Sequence, residues 1–258
     1  MSAELLVSRE GALLRVTINR PEKRNALSRA VLSRLREAFE EHNRDERLSA
    51  AILGGAGDKS FAAGGDLRDL EQVRTPDEAH GLFDLGNGAF DAIRRFPVPV
   101  IAALNGLAVG GGAELAVACD LRIAAAHARI GFVQGTLNIP TAWGGGSDLA
   151  AIVGPAKALQ LLAEARILGA AEALGAGLLD AVAPEGEPFA AFAEQFVAPW
   201  LKQKPQVMRA FKWQAAARKL GLPRGAAVER DRELFAAAWC HDDHWAAAAG
   251  ILDKEKRT

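Results

Sequence analysis

Apolar residues along the first fifty positions change period twice, and each change marks an element. From Ala12 to Asn19, Leu14, Val16 and Ile18 alternate with other side chains, the period of two that a half-buried strand requires. Leu5 to Ser8 reads as a strand before it, with Gly11 marking the turn between them. After Ser28 the period lengthens: Val31, Leu32, Leu35, Ala38 and Phe39 fall on one helical face, and Ser28 is a good N-cap. Ala50 to Gly54 and Pro99 to Leu104 are apolar runs of strand length, and Leu121 to Ala125 reads as another strand. This alternation predicts a layered α/β core, although its hairpins do not fit a simple doubly wound sheet. From about Phe189 the strand signals stop. Phe192 to Gln203, Val207 to Leu220, Gly225 to Cys240 and Asp243 to Lys254 read as helices, separated by Pro205 and Pro223.

Composition narrows the class. The chain has 258 residues, enough for a well-buried core, with 50% hydrophobic and 24% charged positions, as in folded globular proteins. A net charge of −1 gives no basic surface for nucleic acid or an anionic membrane. The two cysteines, Cys119 and Cys240, lie in apolar contexts without C-x-x-C spacing, which predicts buried free thiols in a reducing setting. Met1 to Glu4 lacks a basic leader followed by a long apolar run, and no stretch reaches the roughly 18 apolar residues of a membrane span. A cytoplasmic location is the expectation.

Chemistry concentrates at two glycine-rich junctions. Gly110-Gly111-Gly112-Ala113-Glu114-Leu115 lies between the strand ending at Leu104 and a short apolar helix. Glycines there let the backbone approach a ligand, and a helix start leaves N–H groups unpaired. Such groups bind an oxyanion, and Glu114 supplies a carboxylate close by, so the segment holds the parts for enolate chemistry. The segment lacks the Lys and Ser/Thr of a nucleotide P-loop, and no G-x-G-x-x-G aligns on it. A purely packing role for the glycines is the alternative. The second junction, Ser60-Phe61-Ala62-Ala63-Gly64-Gly65-Asp66-Leu67, also joins a strand to a helix start, with Asp66 suited to cap it. Each junction could supply one oxyanion donor.

With these junctions in place, the chain resembles the crotonase (enoyl-CoA hydratase/isomerase) superfamily over nearly its whole length. Asn19 to Leu27 is similar to the family's first acyl-CoA loop, Phe61 to Leu67 to its first oxyanion segment, and Pro97 to Asp120 to its second. Ala156 to Val182 resembles the segment that closes its core. The resemblance implies a spiral of ββα repeats over residues 1–188 and a helical trimerisation region over 189–258. Trimers, often paired as hexamers, are the implied assembly, and an acyl-CoA is the implied small-molecule partner. No cofactor or metal is implied, because coenzyme A belongs to the substrate.

Carried over by position, the oxyanion donors fall on the N–H groups of Gly65 and Gly111, and Glu114 matches the first of two hydratase glutamates. The second, in a G-x-P-E segment, is replaced: Gly131-Phe132-Val133 leads to Gln134. An amide forms hydrogen bonds but exchanges no proton near neutral pH, so the pair of carboxylates used in ordinary hydration is reduced to one. Decarboxylation needs the oxyanion site and one acid, and Trp143-Gly144-Gly145 with its neighbouring segments resembles the ethylmalonyl-CoA decarboxylase branch. Hydration with Gln134 holding the water stands beside it, followed by isomerisation, hydrolysis and a non-catalytic CoA-binding scaffold. The resemblance also implies a CoA wall built from Arg24, Ala26, Leu27, Ala62, Ala63, Gly64, Asp66 and Leu67. Trp143 would line the acyl pocket, and Phe235 and Lys254 would reach a neighbouring subunit's CoA. Adjacent donors cannot all face one ion, so His241-Asp242-Asp243-His244 reads as a helix junction capped by Asp243 rather than a metal site.

Overall fold

A computed structural model describes residues 3–219 and 221–255, with only the backbone for 218, 219, 250, 251 and 253–255. Strands β1 (Leu5–Glu10) and β2 (Leu13–Ile18) form an antiparallel hairpin, Leu5 opposite Ile18. Helix α1 (Arg29–His42) follows, capped by Ser28 and burying Val31, Leu32, Leu35, Ala38 and Phe39 as the periodicity predicts. Three pairs of short strands then alternate between two sheets. They are β3 (Ala50–Gly55) with β4 (Ser60–Ala62), β5 (Val100–Leu104) with β6 (Leu107–Val109), and β7 (Leu121–Ala124) with β8 (Arg129–Gly131). Helices α2 (Leu67–Leu70) and α3 (Pro76–Arg94) follow the first pair, and α4 (Gly111–Ala118) the second. After the third come α5 (Gly145–Val153), α6 (Pro155–Glu164), β9 (Ile167–Gly169), α7 (Ala170–Gly175) and β10 (Ala181–Val182). The larger sheet runs β1-β2-β3-β5-β7-β10, parallel after the hairpin, and the smaller runs β4-β6-β8-β9 with β9 antiparallel. After the first hairpin, which lies wholly in the larger sheet, each of the three strand pairs gives one strand to each sheet, the stepped arrangement that makes a spiral.

The unbroken apolar runs are explained by cover on both faces. Ala51 and Leu53 of β3, with Val100, Ala102 and Leu104 of β5, point into the main core with Phe61, Phe90 and Leu115. Ala50, Ile52, Ile101 and Ala103 point the other way, under Ala193 and Val197 of α8 (Phe189–Leu201). Phe192, Phe196 and Trp200 of that helix pack beside them, so part of the aromatic surface of the helical region covers the chain's own sheet.

Helices α9 (Pro205–Lys219), α10 (Arg224–Trp239) and α11 (Asp242–Glu255) complete the chain. Pro205 opens α9 and Pro223 caps α10, where a missing N–H costs nothing. Lys212 ties α9 to the core through both oxygens of Asp120, at 2.5 and 2.6 Å, while Asp120 also accepts the Val100 N–H. Phe211, Phe235, Trp239 and Trp245 remain exposed. Two expectations are corrected. Cys240 is exposed and only Cys119 is buried. Helix α11 begins at Asp242, so Asp243 lies within its first turn and bonds Lys204 and Gln206 instead of capping. Among the described residues no His/Cys/Asp/Glu group could hold a metal ion, and no helix is long and apolar enough to cross a membrane.

Candidate active site

The site is assembled where the two glycine junctions meet. Gly64 has φ +89°, a conformation that a side chain would strain, and a Cβ there would lie 3.6 Å from the Gly111 nitrogen. Gly112 faces the other junction even more closely, since a Cβ on it would lie 1.9 Å from the Ala62 carbonyl oxygen. Only glycine permits this approach. The Leu27 N–H donates to the Gly64 oxygen at 2.8 Å and the Asp66 N–H to the Leu27 oxygen at 3.0 Å, leaving Gly65 between two bonded positions. Gly111 opens α4, whose first N–H groups have no partner within the helix. Among the described residues neither the Gly65 nor the Gly111 N–H donates a hydrogen bond. Two free donors on neighbouring turns can together receive one oxygen.

Residues expected to wall a CoA group gather at the same place. The Ala63 N–H donates to the Arg24 oxygen, so Arg24 to Leu27 and Ala62 to Leu67 run side by side. Arg24 and Leu67 are exposed, whereas Leu27 and Ala62 are fully buried. A residue not singled out in the sequence joins the two segments: buried Arg20 donates to the Ala26 carbonyl at 2.7 Å and to Asp66 at 2.9 Å. Asp66 also accepts the Asp69 N–H as the cap of α2. Burial pushes the Asp66 carboxyl up, but Arg20, the Asp69 N–H and Lys23 outweigh it and hold the group below its usual value.

Glu114 lies one turn into α4 and is only 2% exposed. Its Oε2 accepts the N–H groups of Trp143 at 2.9 Å and Gly145 at 3.1 Å. Oε1 accepts Gln134 Nε2 at 2.8 Å and a long contact from the Ala142 N–H at 3.4 Å. The amide orientation is fixed by chemistry, because a carboxylate offers only acceptors and must face the NH₂ end. Gln134 Oε1 is then buried with no partner among the described residues. Oε2 is thus held by two backbone N–H groups, while Oε1 lies beside that unpaired amide oxygen.

The loop supplying these N–H groups is itself clamped. Arg94 donates to the Trp143 carbonyl at 2.5 Å and to buried Asp148 at 2.8 Å, fixing the loop to α3. No sequence motif pointed to this clamp, since Trp143 and Asp148 lie about fifty residues from Arg94. Phe235 stands apart on α10, exposed and 5.5 Å from Trp239 between ring centres. The Lys254 side chain lies outside the described residues.

Known proteins share this architecture and much of this sequence. The enoyl-CoA hydratase/isomerase family profile matches residues 8–258. A short-chain-enoyl-CoA hydratase of Clostridium acetobutylicum is 34% identical, over 98% of this chain and 95% of its own. An ethylmalonyl-CoA decarboxylase of Bos taurus is 29% identical, over 87% of this chain and 73% of its own. The crystal structure of an enoyl-CoA hydratase/carnithine racemase from Magnetospirillum magneticum superposes with a TM-score of 0.89 at 30% identity, covering 98% of this chain and 94% of that one. With both the fold and nearly the full length matched, the chain belongs to the enoyl-CoA hydratase/isomerase family.

Proposed function

We propose that this protein is an acyl-CoA lyase that hydrates an enoyl-CoA, with Glu114 carrying out both proton transfers. The Gly65 and Gly111 N–H groups receive the thioester oxygen. Water adds to the β-carbon while its proton passes to Glu114 Oε1, and the electrons of the double bond move onto the thioester as an enolate. The same carboxyl then returns that proton to the α-carbon, so one water is consumed and the residue is restored. The observation carrying this reading is that Gln134 donates to Oε1 while its own Oε1 stays free, so both oxygens can accept from one water. The similarity to a short-chain-enoyl-CoA hydratase supports it.

Decarboxylation of a substituted malonyl-CoA is the second reading. It is favoured by the neutral amide at Gln134, which sets no negative charge against a departing carboxylate, and by the likeness to an ethylmalonyl-CoA decarboxylase. Mass spectrometry of crotonyl-, ethylmalonyl-, methylmalonyl- and 3-methylglutaconyl-CoA after incubation separates the two. Hydration adds one water to an enoyl-CoA; decarboxylation removes carbon dioxide from a malonyl-CoA. If all four thioesters are recovered unchanged, both readings fail. Gln134→Glu should leave hydration unchanged or faster, and should slow a decarboxylase.

Assembly as a homotrimer or a dimer of trimers belongs to the same reading, supported by the exposed Phe211, Phe235, Trp239 and Trp245. Light scattering at micromolar concentration should give at least three times the 27.3 kDa chain mass, and a clean monomer would contradict it.

A further inference from the structure

Trp143 is 5% exposed, and its indole spans the distance from the glycine junctions to α3. At the benzo end, a Cβ on Gly111 would lie 2.5 Å from Cζ3, and one on Gly65 would lie 3.8 Å from Cη2. At the pyrrole end, a Cβ on Gly86 would lie 2.2 Å from Nε1. Phe90 meets the ring edge-on, 5.5 Å between centres at 77°. The ring therefore occupies the volume next to both free N–H groups.

It is also held there. The Trp143 N–H donates to Glu114 and its carbonyl accepts Arg94, so its backbone cannot swing away without releasing the acid. Phe90 and α3 block the ring from retreating on its far side. Trp143 Nε1 is buried without a partner among the described residues, a cost accepted by a side chain kept for its shape and position.

We propose that Trp143 is the chain-length gate of the site, restricting the protein to thioesters of short acyl groups. The proposal rests on the reading that Gly65 and Gly111 hold a thioester oxygen. An acyl chain leaving that carbonyl starts beside the benzo edge, and each further methylene must displace a ring that has nowhere to go.

Binding of saturated thioesters tests the gate without depending on which reaction follows. Calorimetry with butyryl-, hexanoyl- and octanoyl-CoA on the intact protein should show affinity falling about 100-fold from butyryl to octanoyl, the discrimination a tight pocket achieves. Trp143→Ala should narrow that ratio at least about tenfold, and Trp143→Phe, smaller but still flat, should fall between. A change confined to general packing would weaken all three ligands together and leave the ratio unmoved. Octanoyl-CoA binding to the wild type as tightly as butyryl-CoA overturns the gate, and this needs no variant to fold. So does an unchanged ratio in a folded Trp143→Ala or Trp143→Phe protein. If the wild type binds none of the three, the thioester reading falls and takes the gate with it.

Discussion

Glu114→Gln should lower kcat on the best thioester by about 100-fold or more, the range for losing a positioned acid–base group. The substitution is close to isosteric, and the site can accept it. Its side-chain oxygen can keep the N–H bonds of Trp143 and Gly145, and Gln134 can rotate its amide to offer Oε1 to the new NH₂. Folding and thioester affinity should therefore survive while proton transfer is lost. Steady-state kinetics at saturating substrate, beside a thermal melt, separates the two effects. Equal rates for variant and wild type on every thioester would reject the mechanism and favour a non-catalytic CoA-binding scaffold.

Gly111→Pro should cost a further 10²- to 10³-fold or so in kcat, the scale reported for removing one oxyanion donor. Proline is tolerated at the first position of a helix, where its missing N–H breaks no helical bond, and Gly111 is that position in α4. The new side chain nevertheless strikes Trp143, because any Cβ at 111 lies 2.5 Å from Cζ3. Gly111→Ala carries the same collision and keeps the N–H. The comparison is therefore between proline and alanine, with proline expected to be slower by about 100-fold. Equal rates for the two variants would show that the Gly111 N–H does no work in the reaction.

Sequence reading reached the elements whose signals are local. The helical face of α1 and its Ser28 cap need only a few neighbouring residues, and both are found where the period of apolar positions puts them. The same holds for β2 and for Asp66 at the start of α2. The smaller sheet was not legible, because β4, β6, β8 and β9 have three residues each, too few to show a period. The ββα spiral came from family resemblance and not from the pattern. Within the site, Glu114 was visible beside its glycines, but the N–H groups that hold it come from residues 142–145, brought back by the chain's return. Arg20 and Arg94, which brace the site from either side, were invisible for the same reason. Their partners, Asp66 and Asp148, lie 46 and 54 residues away. Periodicity carries no record of such pairs.

If the Gly65 and Gly111 N–H groups grip a thioester carbonyl, its vibration reports this directly. Isotope-edited infrared spectra of carbonyl-labelled crotonyl-CoA can be recorded on the slow Glu114→Gln protein, with and without Gly111→Pro. On Glu114→Gln alone, two N–H donors should weaken the C=O bond and move its stretch to lower frequency than in solution. Adding Gly111→Pro should return most of that shift. A carbonyl stretch of bound crotonyl-CoA that matches free crotonyl-CoA on Glu114→Gln would contradict the account.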